Sequence, residues 1–174
     1  MGGLGHIAVQ LLRELCAAEI VAVDRSRAAL DLAAGLGAEH LVDASAGDPV
    51  EAVMEITGGR GADAVIDFVG QDGAIGQALG MIATGGTYWV VGYGGTIQVP
   101  AIDVVAREIA VAGSLVGTYE ELAGLMRLVA EGRVTLHASE YGLEDVNAAI
   151  RDLEAGRLRG RAVIVPSRPG GRRS

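Results

Sequence analysis

Short apolar runs and amphipathic stretches alternate along almost the whole chain, with glycine-rich turns between them. The strand-like runs are 20–23, 40–43, 62–68, 87–91, 109–115 and 161–165. Between them lie helix-like segments. In 6–15, Ile7, Leu11 and Leu15 share a face with Ala8 and Leu12; segment 26–36 is closed by Gly37. In 72–83, Ile75, Leu79 and Ile82 align; in 118–131, Leu122, Leu125, Met126 and Val129; in 143–155, Val146, Ala149, Ile150 and Leu153. Segments 97–100 and 134–137 are expected to be extended, and 103–108 a helical turn. Helix and strand alternating at this spacing predict an α/β chain with a parallel sheet. Ligands on such sheets sit at the carboxyl ends of the strands.

Local punctuation supports these boundaries. Asp48 can cap a helix whose first residue is Pro49, with Glu51 as reciprocal cap, running to about Thr57. Thr118 and Glu121 have capping-box spacing.

Composition narrows the function classes. With 174 residues, half of them hydrophobic, the chain suits one packed domain. No apolar run approaches the ~18 residues a membrane helix needs, and residues 1–10 lack the basic start and apolar stretch of a signal peptide. A cytoplasmic location and no membrane partner are expected. Asp and Glu number 22 against 14 basic residues, a net charge of -8, which argues against a nucleic-acid surface. The single cysteine, Cys16, excludes an internal disulfide and a cysteine-based zinc site within this chain. It falls in a helical apolar pattern and is expected to be buried and inert. His6, His40 and His137 show no ligand spacing.

The chain opens MGGLGHIAVQ. A dinucleotide-binding turn carries G-x-G-x-x-G between a strand and a helix. Gly2 and Gly5 have the spacing of its second and third glycines. Gly2 would let the backbone approach a pyrophosphate, and Gly5 would let the helix pack closely on a sheet. The phosphates would sit at the helix N-terminus, where free N–H groups and the dipole favour anions. The first glycine, and the strand before it, would precede Met1. Glycines at a helix start also occur in plain turns, and Asp24 shifts the balance. It lies 19 residues after Gly5, at the end of an apolar run. A carboxylate there accepts from both ribose hydroxyls of adenosine and repels the extra phosphate of NADP. Arg25 could meet such a phosphate, yet NAD is expected over NADP.

The ordered series GGLGHIAVQLLREL, EIVAVD, LAAGLGAEHLVDA, GRGADAVIDFVG, GGTYWVVGYGG, VAGSLVGTYEEL and LEAGRLRGRAVIVP resembles the cofactor-binding half of zinc-dependent medium-chain alcohol dehydrogenases. The resemblance spans residues 1–166. It implies a Rossmann-type doubly wound parallel sheet lacking its first strand, with a C-terminal return segment; the Pro, Gly and Arg composition of the chain's end predicts a disordered tail at 167–174. It also implies roles for matching residues. Gly2, Gly3, Leu4 and Gly5 would line the pyrophosphate and nicotinamide side, and Asp24, beside Arg25, the adenosine ribose. Val69 and Gly70 would edge the cofactor cleft. Val91, Ser114 and Val116 would fix the nicotinamide carboxamide through backbone groups, with Gly92 and Tyr93 beside them. Arg161 would reach the pyrophosphate. Taken alone, Val91 and Val116 also read as core strand residues and Arg161 as a solvated charge.

Two departures stand out. Where the family commonly has a Lys near the adenosine ribose, Ala29 stands here, and either Arg27 substitutes for it or nothing does. The family's zinc-bearing catalytic domain has no counterpart in this sequence. In the full enzyme zinc would polarise an alcohol oxygen while hydride passes to NAD, giving an aldehyde or ketone. This chain is expected to be inactive alone, with no catalytic or metal-binding residue of its own. Met1 stands where the family often has Val, so a truncated or misannotated start is expected, with lowered stability and exposed apolar surface. Alternatives are a stand-alone NAD-binding or regulatory module, or a fragment of a zinc-independent quinone reductase-like enzyme, against which Asp24 argues. The family commonly pairs through an edge strand, so a homodimer through 109–115 is expected.

Overall fold

The computed structural model describes residues 2–166; the tail expected at 167–174 lies outside the described residues. In chain order the elements begin α1 (Gly5–Leu15), β1 (Val21–Asp24), α2 (Arg27–Leu36), β2 (His40–Asp43) and α3 (Pro49–Ile56). They continue β3 (Ala62–Asp67), α4 (Asp72–Met81), β4 (Ile82–Val90), α5 (Ala101–Arg107) and β5 (Ala110–Gly113). Last come α6 (Tyr119–Ala130), β6 (Ala138–Gly142), a 3-10 turn (Leu143–Asp145), α7 (Val146–Glu154) and β7 (Arg161–Val165). The chain forms two compact units. Unit one contains residues up to Leu41 and from Arg127 onward; unit two is Val42–Met126.

The strands form three sheets: β1-β2, β3-β4-β5 and β6-β7. The β3-β4, β4-β5 and β6-β7 pairs are parallel. Among the described residues, no helix is long and apolar enough to cross a membrane.

Each unit has its own core. In unit one, Val9, Ile20, Ala22, Leu30, Ala33 and Ala38 pack together, with Leu12, Leu36 and Leu41 against them. In unit two the cluster is Ile75, Ala78, Leu79, Ile82, Tyr88 and Ile109. A fully buried Leu such as Leu30 contributes about 2 kcal/mol.

The caps follow the sequence. The Asp48 carboxylate accepts the Val50 N–H at 2.8 Å, ahead of Pro49. Gly37 closes α2 at φ +106°, a conformation that suits glycine. Glu121 accepts the Thr118 N–H at 2.6 Å, while the Thr118 hydroxyl accepts the Glu121 N–H at 3.2 Å. The carbonyls at the end of α4 are met by a side chain: the Arg107 guanidinium donates to Leu79 O at 3.2 Å and to Ile82 O.

Several boundaries differ from expectation. Residues 82–83 belong to β4 rather than to a helix end, and the strand expected from 87 starts at Ile82, which pairs with Ala62 across an irregularity in the β3–β4 register. Gly85, at φ +77°, lies inside that irregular stretch. Residues 97–100 join no strand; Val99 instead packs against the unit-two core. The extended segment expected at 134–137 begins later, as β6 at Ala138. Cys16 is exposed rather than buried, since α1 stops at Leu15 and Cys16 turns extended at φ −128°. Of the α7 stripe, Ala149 is buried, while Ile150 and Leu153 are exposed.

Candidate functional site

In unit one, the turn 2–4 leads directly into α1. Gly2 is exposed, and nothing lies within 4 Å of where its Cβ would be. Gly5 is buried at the first position of the helix. Leu4, at the N-cap, makes no side-chain capping bond, so no cap side chain covers the N–H groups of the first turn. Gly3 sits under the Arg161 side chain: a Cβ there would overlap Arg161 Nε, Cδ and Cζ. The guanidinium of β7 is therefore stacked on the glycine turn, in space that a glycine leaves open. Arg161 itself is exposed.

Asp24 ends β1, half-buried, and its Oδ1 accepts the Ser26 N–H at 2.9 Å. That bond turns the chain into α2 and fixes the carboxylate at the strand's carboxyl end. Arg25 is exposed. Arg27 pairs with Asp31 at 2.9 Å along α2.

In unit two, Asp67 ends β3 and is buried. Its Oδ1 accepts the N–H groups of Val69 at 2.7 Å and Gly70 at 3.0 Å. Its backbone carbonyl accepts those of Val91 and Gly92, both at 2.9 Å. One residue thus ties the ends of β3 and β4 together. Gly70, at φ +63°, has Gly92 against it: a Cβ on either would overlap the other strand's backbone. Val69 and Tyr93 are exposed beside this contact. After β5, the Ser114 N–H donates to Val90 O at 2.9 Å. Val116 is 90% exposed at φ +50°, which is rare and strained for a β-branched residue.

Among the described residues, no group of three His, Cys, Asp or Glu could hold a metal ion. A zinc ion does not fit the side chains of the described residues.

Residues 3–131 match the family described as zinc-binding dehydrogenase. The chain belongs to that family. An alcohol dehydrogenase of Rhizobium meliloti (strain 1021) is 38% identical over 165 residues, covering 94% of this chain and 48% of the relative. An NAD-dependent alcohol dehydrogenase of Saccharolobus solfataricus is 35% identical over 167 residues, covering 95% and 48%. The crystal structure of the alcohol dehydrogenase from Aeropyrum pernix superposes with a TM-score of 0.92 at 42% identity, over 95% of this chain and 48% of that one. The chain spans about half the length of these relatives.

Within each unit, sequence-predicted residues come together. Gly3 meets Arg161 in unit one, and Val69 and Gly70 meet Gly92 and Tyr93 in unit two. Val91 and Val116 are not core residues: Val91 is half-buried and Val116 exposed. Sequence reasoning missed Asp67 and Tyr88, whose pairing crosses two strands. It also took His6 and His137 as unrelated. Their rings lie edge to face, with centroids 5.8 Å apart.

Proposed function

We propose that this chain is the NAD-binding half of an alcohol dehydrogenase, with Gly2, Gly3, Leu4, Gly5, Asp24 and Arg161 as its adenosine and pyrophosphate residues and Val69, Gly70, Val91, Gly92, Tyr93, Ser114 and Val116 as its nicotinamide residues. The observation that carries the reading is Arg161 lying over Gly3 beside the uncapped start of α1. N–H groups of the Gly2–Gly5 turn donate to pyrophosphate oxygens, and Arg161 neutralises their charge. Asp24 accepts the adenosine ribose hydroxyls and disfavours a 2′-phosphate, with Arg25 beside it. Val69, Gly70, Gly92 and Tyr93 edge the nicotinamide. The N–H groups of Val91 and Ser114 are already committed to carbonyls, so these two residues offer their own carbonyl oxygens to the carboxamide NH2. Val116 N–H donates to the carboxamide oxygen. When bound, the dinucleotide supplies a hydride acceptor; this chain supplies its placement.

The alcohol substrate and the zinc are assigned to the other half of the complete enzyme, and no step is routed through a metal here. The chain is read as cytoplasmic. β5, at the edge of its three-stranded sheet with Val111 exposed, is proposed as a pairing edge with a second copy.

Calorimetric titration of the full chain with NADH and NADPH tests the reading. NADH is expected to bind about tenfold tighter or better, and Asp24→Ala to narrow the ratio by weakening NADH. No saturable binding by a folded chain, or a preference for NADPH, would contradict it.

A further inference from the structure

His6 is the second residue of α1 and is fully buried. Both ring nitrogens are engaged. Nε2 lies 3.3 Å from the backbone N–H of His137, which donates, so Nε2 accepts. A neutral imidazole carries one N–H. It must therefore sit on Nδ1, where it donates to the Gly2 carbonyl at 3.0 Å. The His6 backbone N–H approaches the same carbonyl at 3.3 Å.

The link continues beyond His137. Its carbonyl accepts the Arg161 N–H at 2.9 Å. Gly160, at φ +74°, lies so close to that carbonyl that a Cβ would overlap it. The Arg161 side chain then returns over Gly3. A closed circuit runs from the glycine turn through His6, His137 and Arg161 back to the turn. One helical turn along α1, Gln10 repeats the connection: its amide donates to Thr135 O at 3.0 Å and accepts the Thr135 N–H at 2.8 Å.

We propose that His6 is a positioning residue for the dinucleotide, holding the Gly2 carbonyl back from the ligand and, through His137, keeping Arg161 over the turn. A glycine turn has no side chains to fix its own shape and many conformations to choose from. A Gly2 carbonyl rotated towards the pyrophosphate would set oxygen against oxygen. His6 supplies the restraint and joins it to the cation that faces the same ligand. The inference rests on the dinucleotide reading above.

Protonation would break the circuit, because a charged Nε2 presents N–H to N–H at His137. Burial holds the His6 pKa below its ordinary 6.5 despite the Gly2 bond, with His137 and Arg161 adding to the depression. These two are the titratable and charged groups facing it among the described residues. Affinity for NADH should therefore be level at neutral pH and fall on the acid side of 6.5.

The test measures NADH dissociation constants of the full chain from pH 8 to 5, with ring 15N shifts of His6 recorded on the same samples. Wild type is expected to show the Nδ1–H tautomer, and to weaken by about tenfold as His6 titrates. His6→Asn places an amide N–H where Nδ1 stands and does not titrate. It keeps the bond to the Gly2 carbonyl and loses the link to His137, so it should weaken NADH by about threefold at neutral pH, less than His6→Leu does, and lose the acid limb. His6→Leu should weaken NADH about tenfold throughout. An Nε2–H tautomer in wild type, or an unchanged acid limb in folded His6→Asn, would overturn the proposal while leaving the dinucleotide reading intact. If neither variant folds, the wild-type tautomer and the match between its acid limb and the His6 titration decide. A wild-type chain that binds no NADH at neutral pH removes the dinucleotide reading, and this proposal with it.

Discussion

The Tyr88 hydroxyl donates to Asp67 Oδ2 at 2.8 Å, and both side chains are buried. Asp67 Oδ1 is occupied by the N–H groups of Val69 and Gly70. Tyr88 thus completes the hydrogen bonding of a carboxylate that shapes the loop after β3. A buried carboxylate is costly unless its oxygens are met.

Tyr88→Phe should cost about 1–3 kcal/mol, since it leaves Oδ2 without its partner. Equilibrium unfolding in urea measures it. The pair also predicts an alkaline limb. Burial, with the Asp67 bond and charge, raises the Tyr88 pKa well above 10. The folded state then keeps its proton where the unfolded state loses it. Stability is full below pH 10 and declines as pH rises beyond it. Tyr88→Phe should flatten that decline.

Alanine at three glycines should separate strain from overlap. Gly85, at φ +77°, has nothing within 4 Å of an added Cβ, so Gly85→Ala should cost about 1–2 kcal/mol from backbone strain alone. Gly70→Ala and Gly92→Ala meet opposing backbone and should cost about 3 kcal/mol or more. Thermal unfolding reads the order; equal costs at all three sites would refute the close contact between the ends of β3 and β4.

Arg161→Ala should weaken NADH about tenfold, the worth of one charge-assisted bond to phosphate. The remaining affinity should depend less steeply on salt. Calorimetry at two salt concentrations checks both. Unchanged affinity would return Arg161 to a solvated surface charge.

Dialysis of this chain against a chelator should leave its unfolding midpoint unchanged, and zinc titration should show no stoichiometric site, because no ligand cluster exists among the described residues. A midpoint that falls on chelation would contradict this.

Much of the fold was legible because its signals are local. Ser26 and Gly37 bracket α2, Thr118 and Glu121 start α6, and β7 occupies the predicted 161–165. Where the reading failed, a long-range partner decided. Ile82 continues the spacing of Ile75 and Leu79, yet it pairs with Ala62 as strand. Val99 looks like a strand residue but fills a core without a ladder. The glycine turn and Asp24 could be read from spacing, because a helix start and a strand end mark themselves. His6 and His137 could not: they are 131 positions apart, and no periodicity connects them. Asp67 reads in sequence as one more acid at a strand end. Its four backbone donors and the Tyr88 hydroxyl emerge once β3 and β4 are aligned.

The most direct test of the account is hydrogen exchange of backbone amides in the full chain with and without saturating NADH. The account predicts slowed exchange at Gly2–Gly5, at the Asp24 strand end, and at Val69–Gly70, Gly92–Tyr93 and Val116. Protection confined to other segments, or none from a folded chain at saturating NADH, would contradict it.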